Sequence, residues 1–276
     1  MKVDGLFKNK GIYIFLIYFF LIFLIIYDLF FNRVNYSYPV LINSNLTLKE
    51  ISKELYQKEI IKNKLFFEFL VYSNLAETKL KAGEYVFLNN NIFQIIDKIK
   101  KGNVLQRKVT IPEGLRSDQV IDILKKTEGI IINKKIYFPD EGSLFPDTYF
   151  YVYGTDINDI IHKMQLSMSK ILEDSWRNKN RNVKLKSYRD VLILASIVEK
   201  EASLKEEKPI IAQIFLNRLD LNMKLQSDPT VVFAIEKQYG ELNRKLTRKD
   251  LTFKSDYNTY LHYGLPIGPI SNPGKD

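Results

Sequence analysis

VLINSNLTLKEISKELYQKEIIKNKLFFEFLVYSNLAETKLKAGEYVFL, residues 40–88, holds two kinds of hydrophobic periodicity, and their order decides the fold class. Val40-Leu41-Ile42-Asn43 is a brief β-type run. Thr47 then opens a helical pattern, Thr47-x-x-Glu50, with Ile51, Leu55 and Ile60 on one side. A second helical stretch, Lys64 to Leu75, carries Phe66, Phe67 and Leu70. Ala82-Gly83 introduces an extended run, Glu84-Tyr85-Val86-Phe87-Leu88. Strand, helix, helix and strand follow one another over about fifty residues, the size of a small module. The chain reads as α+β.

Toward the C-terminus, a helix over Ile92–Lys101 leads through Gly102 into a strand, Arg107 to Ile111. Pro112-Glu113-Gly114 is a turn, and Ser117-Asp118 is expected to cap a helix reaching about Lys126. Gly142 to Tyr153 is aromatic and proline-containing, which suits strand and loop. A long amphipathic helix is expected over Asp159–Arg177, and the polar stretch Asn178–Lys186 is the best internal linker.

Toward the N-terminus, Ile12 to Tyr27 holds no charged residue, and the apolar run resumes after Asp28. A bilayer core takes about 20 mostly apolar residues as a helix. No small-residue cleavage site follows, so the expectation is an uncleaved transmembrane helix over 11–31, after a cytoplasmic tail (1–10) and before a polar stalk (32–39). Lys2, Lys8 and Lys10 precede the run and only Arg33 lies close behind it, which keeps the N-terminus in the cytoplasm and puts the rest outside. The first 33 residues hold four basic and two acidic side chains, so the net charge of +9 falls to +7 beyond them. Outside a membrane, that excess suits acidic wall polymer or lipid headgroups rather than nucleic acid. Zero Cys excludes disulfides and thiolate metal sites.

Ser187-Tyr188-Arg189-Asp190 has the form of a capping box directly before the apolar run Val191–Val198. At 3.6 residues per turn, Val191, Leu194, Ala195, Val198 and Ala202 form one stripe. Glu199 falls at one edge of it and Glu201 at the other. A carboxyl at an apolar margin is partly desolvated, which favours the protonated form that a general acid needs. Periodicity does not choose between the two glutamates, and a solvated charged turn would give the same Glu-Lys-Glu.

The run ASIVEKEA (195–202), with FLNRL (215–219), LQSDPTVVFAI (225–235), YNTY (257–260) and GLPIGPISNPG (264–274), closely resembles the endolytic murein transglycosylases of the MltG/YceG type. EGSLFPDTY (141–149), VTIPEG (109–114) and KAGEYVF (81–87) fit as well, so the resemblance covers nearly the whole chain beyond the apolar run. It implies a LysM-like subdomain at 40–107 and a catalytic domain at 108–276. It also implies that the first glutamate of the motif, Glu199, is the catalytic acid/base. Ile267 departs from the family's second proline, and the family pattern continues past Asn272-Pro273-Gly274 through a further helix and strand, whereas this chain stops at Asp276.

The implied reaction cleaves the MurNAc–GlcNAc β-1,4 bond of nascent peptidoglycan, leaves 1,6-anhydro-MurNAc ends and limits strand length. One carboxyl suffices because no water is consumed, unlike two-carboxylate glycoside hydrolysis. No metal or other cofactor is expected, since His162 and His262 stand far apart in the sequence and form no ligand cluster. Gln226 and Asp228 are candidates for the glycan groove, although Asp228 before Pro229 also suits a helix N-cap. Tyr257, Asn258 and Tyr260 suit sugar stacking and N-acetyl hydrogen bonds, or a packed aromatic loop. Glu141 and Glu201 are candidate groove carboxylates, with an exposed loop acid as the other reading of Glu141. Ser196 lacks the G-x-S-x-G elbow of a serine hydrolase. The partners implied are peptidoglycan glycan strands, the cytoplasmic membrane and peptidoglycan synthases. Two rivals share these features: a non-catalytic, membrane-tethered glycan-binding or scaffold protein, and a water-using glycosidase with a second catalytic carboxyl.

Overall fold

The computed structural model describes residues 13–20, 22, 23, 26, 27, 32–73, 80–180 and 182–276. Of the expected membrane segment, 13–20, 22, 23, 26 and 27 are helical with exposed side chains, and the rest of 11–31 lies outside the described residues. Among the described residues no helix is long and apolar enough to cross a membrane. The chain divides into two compact units, residues 1–106 and 107–276.

In the first unit, β1 (Val34–Ile42) pairs antiparallel with β2 (Gly83–Asn90), setting Val40 opposite Tyr85 and Ile42 opposite Gly83. Between them lie α1 (Leu48–Gln57) and α2 (Lys64–Ser73), and α3 (Ile92–Lys101) follows. The Thr47 box closes as expected: Thr47 N donates to Glu50 Oε2 (2.7 Å), and Glu50 N donates to Thr47 Oγ1 (3.4 Å). Ile92, Ile95, Ile96 and Ile99 recur at helical spacing and face a core with Val40, Leu55, Phe67, Tyr85 and Phe87. Each such side chain contributes about 1.5–3 kcal/mol on burial. The expected stalk is a correction, because from Val34 onward it is strand. Tyr36 stands opposite Phe87 and packs on the core, and Pro39 falls where the register shifts between Tyr36 and Val40, so its missing N–H interrupts no regular ladder.

In the second unit, β3 (Arg107–Thr110) runs antiparallel to β5 (Thr148–Tyr151), with Val109 opposite Tyr149 and both buried. A short parallel pair, β4 (Ile130–Ile131) with β6 (Thr155–Asp156), lies beside them in sequence. Helix α4 (Ser117–Lys126) begins one residue earlier than a Ser117 cap would give: Arg116 holds the cap position and Ser117 is the first helical residue. Helix α5 (Ile157–Arg177) also starts early, because Asp156 accepts from Asn158 N at 2.9 Å. One core gathers Val120, Ile121, Leu124, Leu144, Tyr149, Ile157, Ile160 and Met164. A second gathers α6 (Tyr188–Glu201), α7 (Lys208–Asp220) and α8 (Asp228–Tyr239) through Ile193, Leu194, Ile197, Phe215 and Phe233. The stretch 178–186 lies within this unit as the α5–α6 loop, where Lys179 Nζ donates to Leu185 O at 3.0 Å and covers the Trp176 ring.

The stripe expected on α6 also needs correction. Ile193, Ser196 and Ile197 are buried along with Leu194 and Val198, whereas Val191 and Ala195 are only half-buried. The reason is the returning segment 270–274, which lies on the helix. Ile270 N donates to Ser196 Oγ (3.0 Å) and Ser271 Oγ to Ser196 O (3.1 Å). Asn272 then ties three chain segments together. It donates from N to Leu115 O, accepts from Gly114 N at its carbonyl, and accepts from Leu144 N at Oδ1, each at 2.8 Å. The last turn of α6 is thereby fixed against the Pro112–Leu115 turn.

Candidate active site

Ser187 and Asp190 start α6 with a reciprocal box, Asp190 N to Ser187 Oγ and Ser187 N to Asp190 Oδ2, both 3.2 Å. Twelve residues past Ser187, the side chain of Glu199 is 9% exposed. Its Oε2 accepts from Lys208 Nζ and from Gly274 N, each at 3.0 Å. Its Oε1 makes no hydrogen bond to another described residue and is not buried, so it reaches solvent. Lys208 lies in the first turn of α7 with a side chain 10% exposed, and its Nζ donates also to Glu113 Oε2 at 3.1 Å. Burial works against the Lys208 ammonium, but hydrogen bonds to Glu199 and Glu113 and the charge of both carboxylates outweigh it, and its pKa lies above the ordinary lysine value. A raised lysine pKa means that this stabilisation is complete at neutral pH and is lost only as pH climbs past the ordinary lysine range. A β-carbon at Gly274 would fall on the Glu113 carboxylate, so any other residue there would push Glu113 from its place beside Lys208.

Glu201 points elsewhere. Two residues turn about 200° around a helix, and Glu201 Oε1 accepts from Ser227 Oγ at 2.6 Å. Asp228 is beside it: Tyr260 OH donates to Asp228 Oδ1 at 2.6 Å. Burial first, and then the Asp228 carboxylate that accepts its proton, push the Tyr260 pKa up to about 12, so the phenol is a standing donor at neutral pH. Ser227, not Asp228, occupies the cap position of α8; Asp228 is the first helical residue and Pro229 the second. Gln226 is exposed, donates from N to Thr259 O, and adopts a left-handed backbone (φ 52°) that costs a non-glycine residue about 1–2 kcal/mol. Asp228, Glu201 and Tyr260 therefore form one polar cluster with Ser227, and Gln226 precedes it in the chain.

Tyr257 and Glu141 line a different cavity, of about 470 Å³, together with Arg189, Lys237 and Gly268. The Tyr257 ring meets Phe233 edge-on at 4.9 Å, and its hydroxyl accepts from Lys237 Nζ at 3.2 Å. Glu141 is no exposed loop acid: Oε1 accepts from Ser117 N (2.9 Å), Ser117 Oγ (3.3 Å) and Asn272 Nδ2 (3.4 Å). Burial nevertheless outweighs these bonds and raises its pKa. Asn258 is fully buried, and its amide is consumed by the Leu251 and Phe253 carbonyls and by Tyr260 N. It holds the loop rather than facing a ligand. Ser196 is buried too, bonded to Ile193 O and Ile270 N. Among the described residues no group of three or more His, Cys, Asp or Glu side chains could hold a metal ion.

Lys208 and Glu113 were not legible as site residues. Lys208 sits in the polar run Lys205–Lys208, which has the look of a solvated turn, and Glu113 lies 86 residues before Glu199. Chemically, a carboxyl anchored through one oxygen, with the other open to solvent, can release and recover a proton at a fixed position.

A family model described as the YceG-like family matches residues 40–276. The chain is 30% identical over 276 residues to the endolytic murein transglycosylase of Bacillus subtilis strain 168, an alignment covering 88% of this chain and 73% of that protein. It is 27% identical over 278 residues to the endolytic murein transglycosylase of Streptococcus pneumoniae serotype 2, covering 83% of this chain and 49% of that protein. The chain thus spans about half the length of the pneumococcal relative. A crystal structure of a YceG-like protein from Listeria monocytogenes aligns with a TM-score of 0.49 and 33% identity, covering 86% of each chain.

Proposed function

The chain belongs to the YceG-like family, and from that premise we propose that it is an endolytic murein transglycosylase, the activity for which its Bacillus subtilis relative is named. Its substrate is the glycan strand of peptidoglycan, cut between N-acetylmuramic acid and N-acetylglucosamine. The observation that carries the mechanism is the asymmetry of Glu199: Oε2 is held by Lys208 and Gly274, while Oε1 is open. Protonated at Oε1, Glu199 donates to the glycosidic oxygen as the bond to C1 breaks. The resulting carboxylate takes the proton of the muramic C6 hydroxyl as O6 closes on C1. The 1,6-anhydro ring forms, Glu199 regains its proton, and no water enters. Tyr260, Asp228, Gln226 and Glu201 supply polar groups for the glycan on one side, and Tyr257 with Glu141 on another.

Residues 11–31 serve as a membrane anchor that leaves the catalytic unit outside the cytoplasm, and the β-α-α-β arrangement of the first unit is the basis for reading it as LysM-like. Both place the enzyme beside newly made strands and the synthases that extend them. Mass spectrometry of murein digested by the detergent-solubilised full chain tests the reading. Anhydro-muramic ends are expected; reducing ends would mean a water-using glycosidase, and intact strands a non-catalytic glycan binder.

A further inference from the structure

Glu199 shares its buried ammonium with a second carboxylate, and the three groups come from separate pieces of chain. Glu199 lies in the last turn of α6, Glu113 stands in the turn after β3, and Lys208 opens α7. From this geometry we infer that Lys208 and Glu113 are positioning residues of the same reaction: Lys208 fixes Glu199 Oε2, and Glu113 is the resident counter-ion of Lys208 while Glu199 gains and loses its proton. The inference rests on the transglycosylase reading of the site.

The charge balance is the argument. A lysine with a side chain 10% exposed needs a carboxylate partner. Were Glu199 its sole partner, each protonation of Glu199 would strand the ammonium, and the acid form would be hard to reach. With Glu113 at 3.1 Å, the Lys208–Glu113 pair is neutral by itself, and Glu199 cycles between neutral and singly negative beside it. Lys208 keeps all three protons throughout; the travelling proton leaves Glu199 Oε1 for the glycosidic oxygen and returns from O6. Asp276 lies within electrostatic reach of Lys208 as well, but it has a cation of its own. Lys200 Nζ donates to Gly114 O at 3.3 Å, and Lys205 pairs with Asp276 at 2.5 Å. Gly274 N completes the anchoring of Oε2, so the carboxyl plane is set by two donors from different segments.

The test follows anhydro-product formation against pH for the solubilised full chain, as wild type, Glu113→Gln and Lys208→Met, with thermal unfolding recorded for each. The alkaline limb, where rate falls as the acid form of Glu199 is depleted, reports the charge around it. Removing the negative charge of Glu113 should move that limb to lower pH, and removing the positive charge of Lys208 should move it to higher pH, each by about one unit. KM should stay near the wild-type value in both. Limbs that keep the wild-type midpoint, whatever happens to kcat or melting temperature, would reduce the two residues to structural ties and overturn the inference. Should Lys208→Met not fold, Glu113→Gln decides alone, since that side chain is 44% exposed and the exchange is isosteric. Absence of anhydro product from wild type would sink the functional reading itself, a result distinguishable from unmoved limbs in an active enzyme.

Discussion

Replacing Glu199 by Gln keeps the size of the side chain and its contact with Lys208 but removes the transferable proton at Oε1. General acid–base groups contribute about 10²–10⁴-fold in rate, and in the proposed mechanism one carboxyl serves both transfers, so Glu199→Gln should lose anhydro-product formation by at least that factor while binding glycan as before. Glu201→Gln retains an oxygen that accepts from Ser227 Oγ and should keep most of the activity. Parallel rate measurements on one murein preparation decide it, and equal losses in the two variants would refute the division of labour. Glu141 gives a prediction in pH. Burial raises its pKa, so the folded state holds that proton more tightly than the unfolded chain, and stability falls as pH climbs through the window between the ordinary carboxyl value and the raised one. Glu141→Gln keeps an acceptor for Ser117 N without the buried charge. It should gain thermal stability relative to wild type as pH rises past the ordinary carboxyl value; no pH-dependent difference would mean that the carboxyl ionises as freely as one in water.

Helix α6 is the element on which the site depends, and its two ends are held by different means. At the start, Ser187→Ala removes the cap bond to Asp190 N and should cost about 1 kcal/mol in urea unfolding, with little effect on the turnover of folded enzyme. At the other end the hold is tertiary. Asn272→Ala strands Leu144 N at about 1–3 kcal/mol and removes one of the two donors to Leu115 O, which keeps the backbone N–H of residue 272. That change also loosens the Gly114 turn and the Gly274 N–H beside Glu199, so kcat should fall together with stability. Normal kcat in an Asn272→Ala protein that has lost stability would show that the strap does not position the acid. Strand β1 carries a related lesson. Its polar, proline-containing first half reads as stalk by composition, yet it pairs with β2 because Tyr36 finds a partner position across from Phe87.

At the scale of the whole molecule, the apolar run near the N-terminus leads to an expectation about place. A reporter fused at the C-terminus should be active only outside the cytoplasm, and the protein should sediment with membranes; soluble protein beginning near Asn35 would show the segment to be a removable leader. What the sequence by itself determined is local: the capping boxes at Thr47 and Ser187, the helix over Ile92–Lys101, the strand that starts at Arg107, and the ordered motifs that mark the family. These are legible because caps and periodicities are satisfied within a few residues of themselves. Periodicity left Glu199 and Glu201 tied, because a helical wheel shows which residues share a face and not what packs against it. The ordered motifs single out Glu199 by resemblance, and the tertiary structure gives the two glutamates different surroundings, with Lys208 and Glu113 at one and Ser227 at the other. It also withdrew Asn258 into backbone bonding and seated the 270–274 segment on α6. Those assignments depend on contacts between residues as many as 157 positions apart, and chain closure over that distance is set by the packing of the whole unit rather than by any stretch read alone.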